Sequence, residues 1–191
     1  MVLQTKAVTI EEFREFVNKE ENSDTLFELI NGEIIEVPTG RTSNSSIGHL
    51  IVAAVYPFCD EHHIPCYTSG EAGTYDIQVN VVAPDFAFKR TPMSDAYPDP
   101  IAPEWAVEII SSTDKPLDIR NKRQIYLQAG ILYWELYLQP QKIDVYGQGS
   151  HRAHLASVYA PGQPPRTFGI NDTLDGGNVL PGFTLAVKKL F

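Results

Sequence analysis

Apolar residues recur along this chain in two rhythms, and the switches between them mark its elements. Over residues 8–21, VTIEEFREFVNKEE, the side chains of Val8, Phe13, Phe16 and Val17 fall on one helical face. Thr9 stands at the N-cap position with Glu12 three residues on, the capping-box pattern that starts a helix. The period then shortens to two in DTLFELINGEIIEVP, on both sides of Asn31-Gly32. Asn-Gly between alternating runs is the strongest short-range hairpin signal, so strands are expected near 25–30 and 33–37. Glu28 and Glu33 flank this turn; acids on a short hairpin are ordinarily solvated unless they face a cleft.

A polar loop is expected over 38–46. A helix follows in GHLIVAAVYPFCDEHH, with Leu50, Ala53, Ala54 and Phe58 at helical spacing and Pro57 predicting a kink or a late break. His49 at its start is read as a surface or capping histidine, with ligand contact as the sharper reading. From Ile64 the pattern turns to strands, IPCYTSG, GTYDIQVN and VVAPDFAF, bounded by Gly and Asn. Pro84 suits a strand start and argues against full pairing at that residue. The proline-rich stretch 90–102 reads as a surface loop, placed over a cleft.

PEWAVEIIS is apolar on both sides of Glu108, as expected for a central buried strand. Ser112, Thr113 or Asp114 is expected to cap a helix running to Ala129 and ended by Gly130, with Leu117, Ile125 and Leu127 on its packing face. LYWELYL then reads as a strand, PQ as a turn and KIDVYGQ as its hairpin partner, with weaker strands near 154–160 and 165–170. The closing LPGFTLAVKKLF is expected to pack back on the domain. There is no repeat, linker or low-complexity tract, so residues 1–191 are expected to form a single α/β domain.

Composition changes this picture little. Hydrophobic residues make up 43% and charged residues 20% of the chain, ordinary proportions for a globular protein. No apolar run reaches the roughly 18 residues of a membrane span, and MVLQTKAVTIEEF has no signal-peptide core; a cytoplasmic protein without membrane partners is the expectation. The net charge of −9 speaks against nucleic acid held over a broad basic face. It leaves room for a small acidic site whose metal brings its own positive charge. Cys59, His62, His63 and Cys66 offer four zinc ligands within CDEHHIPC, but structural zinc sites usually divide their ligands between separated knuckles.

The chemistry lies in polar residues set inside apolar runs. Asp85 interrupts VVAPDFAF, Glu108 interrupts WAVEIIS, and Lys122 lies on the amphipathic stretch DIRNKRQIYLQAG. Buried carboxylates are costly unless they meet something positive. Two on adjacent strands offer hard oxygen ligands on a rigid frame, with the Ile109 carbonyl as a third oxygen. Magnesium or manganese held there would polarise a phosphoryl oxygen and acidify water, and Lys122 would orient or deprotonate that water or offset phosphorane charge. The plain alternative is a structural Glu108–Lys122 ion pair with no chemistry.

On FELINGEIIEVP, GHLI, APDFAF, WAVEIISS, the residues Asp118, Lys122, Tyr126 and Gly130 of DIRNKRQIYLQAGILYWEL, and LPGFTLAV, the chain resembles the Uma-type putative restriction endonuclease family, formerly a domain of unknown function. The likeness runs from about residue 10 to 191. It implies the PD-(D/E)XK nuclease fold, a restriction-endonuclease-like central mixed sheet flanked by helices with a core order of helix, three strands, helix, strand. It implies Asp85 and Glu108 as metal ligands and DNA as substrate. The superfamily's lysine stands two residues after the second acid, where this chain has Ile110; Lys122 on the next helix is its replacement. Glu28 is the candidate for a further acidic ligand, with Glu33 and Glu71 behind it.

Three readings follow. The first is a magnesium-dependent DNA endonuclease using Asp85, Glu108 and Lys122, suited to a homodimer that cuts both strands. The second is a catalytically silent interaction module on the same fold, also a homodimer. The third is a zinc-binding regulator built on Cys59 to Cys66.

Overall fold

The computed structural model describes residues 7–143 and 152–191. Helix α1 (Ile10–Val17) is capped by Thr9 in a complete capping box with Glu12, and a single 3₁₀ turn, Glu20–Asn22, follows it. The helix is shorter than the periodic segment, but its inward face is the expected one: Phe13 and Val17 are buried, with Val8 and Phe16 packed against them. Strands β1 (Phe27–Ile30) and β2 (Glu33–Glu36) form the expected hairpin, closing on the pair Ile30 and Glu33.

Asn31 and Gly32 both take positive φ, 53° and 83°, as a two-residue turn matched to strand twist requires. A Cβ at Gly32 would stand 2.5 Å from the Ala7 Cβ, whereas one at Gly130, also at positive φ, would meet nothing within 4 Å. A left-handed non-glycine residue costs roughly 1–2 kcal/mol. Gly130→Ala is therefore expected to lose about 1 kcal/mol and Gly32→Ala at least about twice that, read as urea midpoints. Equal losses would remove the Ala7 contact from the account.

Helix α2 (Thr42–Glu61) starts four residues inside the expected loop and passes through Pro57 without a break. Its buried row is Ile47, Ile51, Val55 and Cys59, while Leu50 and Ala53 face outward and Ala54 and Phe58 are half-buried. Strands β3 (Tyr67–Gly70), β4 (Tyr75–Ile77), β5 (Asn80–Val82) and β6 (Phe86–Lys89) follow. The run VVAPDFAF is thus two strands joined through Ala83, Pro84 and Asp85. The loop 90–102 leaves the end of β6 remote from Asp85 and is pinned there by Asp99, which pairs with the buried Lys89 at 2.5 Å.

Strand β7 (Trp105–Ile110) is followed by helix α3 (Pro116–Gln128) and strand β8 (Leu132–Ile143). Helix α3 has Lys115 at its N-cap and Pro116 at the first helical position, where a missing N–H costs nothing. None of the expected cap residues Ser112, Thr113 and Asp114 takes that place, and Asp114 instead closes a turn onto Ser111. Leu117 is 60% exposed; Ile125 and Tyr126 carry the packing. The expected turn at PQ lies inside β8, across a register shift between Leu136 and Gln141. The hairpin partner is β9 (Arg152–Tyr159), and residues 144–148 of the expected partner KIDVYGQ lie outside the described residues. Strand β10 (Arg166–Phe168) and the pair β11 (Thr173–Gly176) and β12 (Leu180–Ala186) complete the chain.

The strands make a six-stranded sheet, β10-β9-β8-β7-β6-β3, a four-stranded sheet, β2-β1-β5-β4, and the β11–β12 ribbon. In the large sheet only β7 and β8 pair in parallel, the geometry that a helical crossover such as α3 permits. The series α2, β3, β6, β7, α3, β8 is the helix, three-strand, helix, strand core expected above. Alternation along the strands divides the layers. Phe86, Phe88, Trp105, Val107, Ile109, Leu132, Trp134 and Leu136 pack with α2 and β12, while Ala87, Ala106 and Tyr133 pack with Ile125 and Tyr126 of α3.

Candidate active site

The last β6–β7 pair is Phe86 with Val107, so Asp85 and Glu108 stand opposite one another one step beyond it. There the strands part, and Asp85 fills the gap by accepting the Ile109 N–H on Oδ2 at 2.6 Å. Among the described residues no hydrogen bond reaches its Oδ1. A strand residue directs its N–H and carbonyl to the same side, so the Ile109 carbonyl is also turned toward Asp85. Glu108 shares the α3 side of β7 with Ala106 and is 7% exposed.

Lys122 and Tyr126, one turn apart on α3, meet it there. The Lys122 Nζ donates to Glu108 Oε1 and Oε2 at 3.1 and 3.2 Å, and the Tyr126 hydroxyl donates to Oε1 at 2.8 Å. The same ammonium lies 2.8 Å from Glu28 Oε1, which also accepts the Ala83 N–H at 2.7 Å. Glu28 arrives because β1 pairs with β5, and β5 leads within three residues to Asp85. The structure therefore brings together Asp85, Glu108, Ile109, Lys122 and Glu28. Glu33 is exposed at the hairpin turn and makes no contact with this group among the described residues.

Three carboxylates around one ammonium carry surplus negative charge. Burial pushes Asp85 up to about 6 against the opposing pull of the Ile109 N–H and Lys122, and Glu71 and Asp114 add to the rise. Burial likewise pushes Glu108 up to about 8, resisted by Lys122 and reinforced by Asp85 and Glu28. Burial works against the Lys122 ammonium, but Glu108, Glu28 and Asp85 outweigh it and hold its pKa above the ordinary lysine value.

The pH dependence follows in sign. Between the ordinary glutamate value of 4.5 and about 8, the folded protein binds more protons at Glu108 than the unfolded chain does. Its stability therefore falls as pH rises through that window. Asp85 adds the same sign between 3.8 and about 6, while Lys122 stays charged throughout and adds no slope. Urea midpoints of the metal-free protein are expected to decline over this range, and Glu108→Gln to flatten the decline. A midpoint that climbs toward pH 8 would refute the surplus-charge account.

Three features were given no role in the sequence reading. Glu135 lies beside Glu108 in the β7–β8 register and is wholly buried. Arg123 grips it with bonds of 2.7 and 2.9 Å, and Tyr137 and Tyr159 donate to it at 2.5 and 3.2 Å. Its signal was present, since LYWELYL carries an acid in an apolar run as WAVEIIS does. Tyr126 was legible as the residue one helical turn beyond Lys122. A cavity of about 400 Å³ also adjoins Asp85, between the start of α2 and the turn after β3, with His49 and Glu71 in its wall.

The zinc reading is not supported. Cys59 is in the α2 core row, His62 stacks on Phe58 at 4.1 Å, and His63 takes a positive φ of 55°. Among the described residues no group of three or more His, Cys, Asp or Glu converges on a common point. This holds for the carboxylates too, because Glu28 and Glu108 are drawn to Lys122.

A crystal structure of a putative nuclease belonging to DUF820 from Anabaena variabilis ATCC 29413 is similar to this chain, with a TM-score of 0.75 and 20% sequence identity over 96% of this chain and 97% of that one. That likeness carries the fold. No curated protein matches the chain. A sequence profile of the Uma2 family, described as "Putative restriction endonuclease", matches residues 10–188. With the mixed-sheet core and nearly the full length matched, the chain belongs to the Uma2 family.

Proposed function

We propose that the protein is a metal-dependent endonuclease that hydrolyses phosphodiester bonds of DNA at the Asp85–Glu108–Lys122 site. The observation that carries this reading is the placement of Asp85 and Glu108 across parting strands, with an ammonium beside them and negative charge in surplus. Family membership and the fold of a putative nuclease support the same reaction class. The donor types suit a hard divalent cation. Asp85 keeps one oxygen without a hydrogen bond, the Ile109 carbonyl is turned toward it, Glu108 would give up part of its contact with Lys122 to reach the ion, and the raised carboxyl pKa values mark a place where positive charge is favoured.

Asp85, Glu108 and the Ile109 carbonyl would hold magnesium or manganese, with Glu28 as a further acid behind Lys122. When bound, the ion would supply Lewis-acid stabilisation of a phosphoryl oxygen and acidify water. The chain's own groups do the remaining work. The Ile109 N–H fixes the Asp85 carboxylate, and Tyr126 fixes Glu108. Lys122 is a poor base because its carboxylate neighbours keep it protonated; it acts as a fixed cation that offsets charge gathering on the phosphorane. The assembly we propose is a homodimer, whose two-fold axis would set two such sites on a duplex; the mass in solution tests it.

The silent-module reading has one observation in its favour. Glu28, Lys122, Glu108 and Tyr126 satisfy one another without a metal. Titrating magnesium or manganese into the protein by calorimetry, with plasmid nicking on the same samples, separates the two. Binding with nicking supports the nuclease; absence of binding leaves the silent module.

A further inference from the structure

Apart from Asp85, the residues that line the neighbouring cavity have no part in the chemistry above. Its volume of about 400 Å³ lies within the roughly 300–1,000 Å³ of small-molecule sites. Among the described residues, the ionisable groups in its wall are His49, Glu71 and Asp85, with no lysine or arginine. Glu71 lies close enough to Asp85 to add to its rise in pKa. A phosphate lodged in the cavity would thus face two acids with only the His49 ring to set against them, whereas an uncharged group would meet neutral donors and acceptors.

Among these, the Asn44 amide and the His49 ring are available to a ligand. The Ser69 hydroxyl is occupied by the Tyr75 hydroxyl at 2.6 Å. Among the described residues the amide of Asn44 is engaged only through Oδ1, by a long 3.4 Å bond from Ser43. His49 Nδ1 lies 2.7 Å from the Ser45 carbonyl; a carbonyl only accepts, so Nδ1 carries the proton, and in the neutral ring Nε2 is an acceptor. Among the described residues no hydrogen bond reaches Nε2. An amide and a ring acceptor in one cleft match the amino and carbonyl edge of a nucleobase.

We propose that this cavity receives the uncharged base-and-sugar portion of one nucleotide, whose phosphate lies at Asp85 and Glu108, with Asn44 and His49 as its polar contacts. The position of the phosphate rests on the nuclease reading; the preference for a neutral nucleoside rests on the cavity wall alone. A base that enters must first leave its stack, so single-stranded or mismatched segments bind better than paired ones.

Saturation-transfer NMR on the wild-type protein tests this without any cleavage, with millimolar deoxyribonucleosides and dimethyl phosphate as probes. The nucleosides are expected to show transfer and dimethyl phosphate none. Asn44→Ala with His49→Ala removes side chains that bear little of the core, and is expected to weaken nucleoside binding about fivefold or more, as the loss of two hydrogen bonds implies. Val52→Phe, which fills the cavity from α2, is expected to do the same, and the first pair keeps the test valid if Val52→Phe misfolds. The proposal is overturned by nucleosides that show no transfer, by transfer unchanged in the Asn44/His49 variant, or by dimethyl phosphate competing for the same place. Nucleoside binding in a protein that never nicks DNA would retire the nuclease and keep the cavity assignment.

Discussion

Asp85→Asn is expected to abolish magnesium-dependent nicking while leaving the protein folded. A Lewis acid at a phosphoryl centre contributes several kcal/mol, and each 1.36 kcal/mol is tenfold in rate. Loss of its ligand therefore predicts about a thousand-fold or more in rate. The substitution keeps the shape of the side chain, and an amide can still accept the Ile109 N–H that Asp85 receives at 2.6 Å. It also removes a buried group whose pKa stands near 6, so the metal-free variant should melt no lower than wild type. Magnesium should raise the wild-type melting temperature and leave the variant unmoved, because only a ligand bound to the folded state shifts the equilibrium. Full nicking by Asp85→Asn would end the proposed mechanism. A magnesium shift that persists in it would move the metal elsewhere.

The second large effect is on stability. Lys122→Ala leaves Glu28 and Glu108 facing each other, 5% and 7% exposed, without the ammonium that lies 2.8 and 3.1 Å from them. Breaking a buried pair by removing one partner costs about 3–5 kcal/mol. Part of that loss is recovered if Glu108 stays protonated, so the deficit should be larger at pH 8 than at pH 5. Lys122→Ala combined with Glu108→Gln should be less damaging than Lys122→Ala alone, because the second change removes one of the stranded charges. Guanidinium midpoints of the singles and the double close this cycle. An additive double variant would mean that Lys122 and Glu108 do not act on each other. Both site readings share this prediction, so it bears on the network and leaves nicking to decide the chemistry.

The parts of the molecule legible in its sequence are those in which local pattern and tertiary role agree. Asn31-Gly32 could hardly be anything except a turn, and Glu108 among Val107, Ile109 and Ile110 announced a buried acid on a central strand. Helix α2 was harder because IGHLIVAAVYPF is apolar on nearly every side. The rows Leu50–Ala54–Phe58 and Ile51–Val55–Cys59 are equally hydrophobic, and only the sheet beneath selects the second. Asn44, Ser45 and Ser46 read as loop because their helical turn carries no apolar residue to bury. Pro140 read as a turn because proline interrupts ladders, yet β8 absorbs it across a register shift. The partnership of Glu28 with Lys122 spans 94 positions of chain and depends on β1 pairing with β5. No window of sequence contains that information.

The short link Ala83-Pro84-Asp85 joins the four-stranded sheet to the six-stranded one. It is a hinge point by position, yet its freedom is removed on both sides. Pro84 fixes its own φ, the Ala83 N–H is tied to Glu28, and the Asp85 carboxylate to Ile109. The acids that gather at the site are thus the same groups that clasp one sheet to the other. A cation shared between Asp85 and Glu108 would act as a rivet through that joint. Occupancy of the site and rigidity of the whole two-sheet frame would then be one mechanical variable.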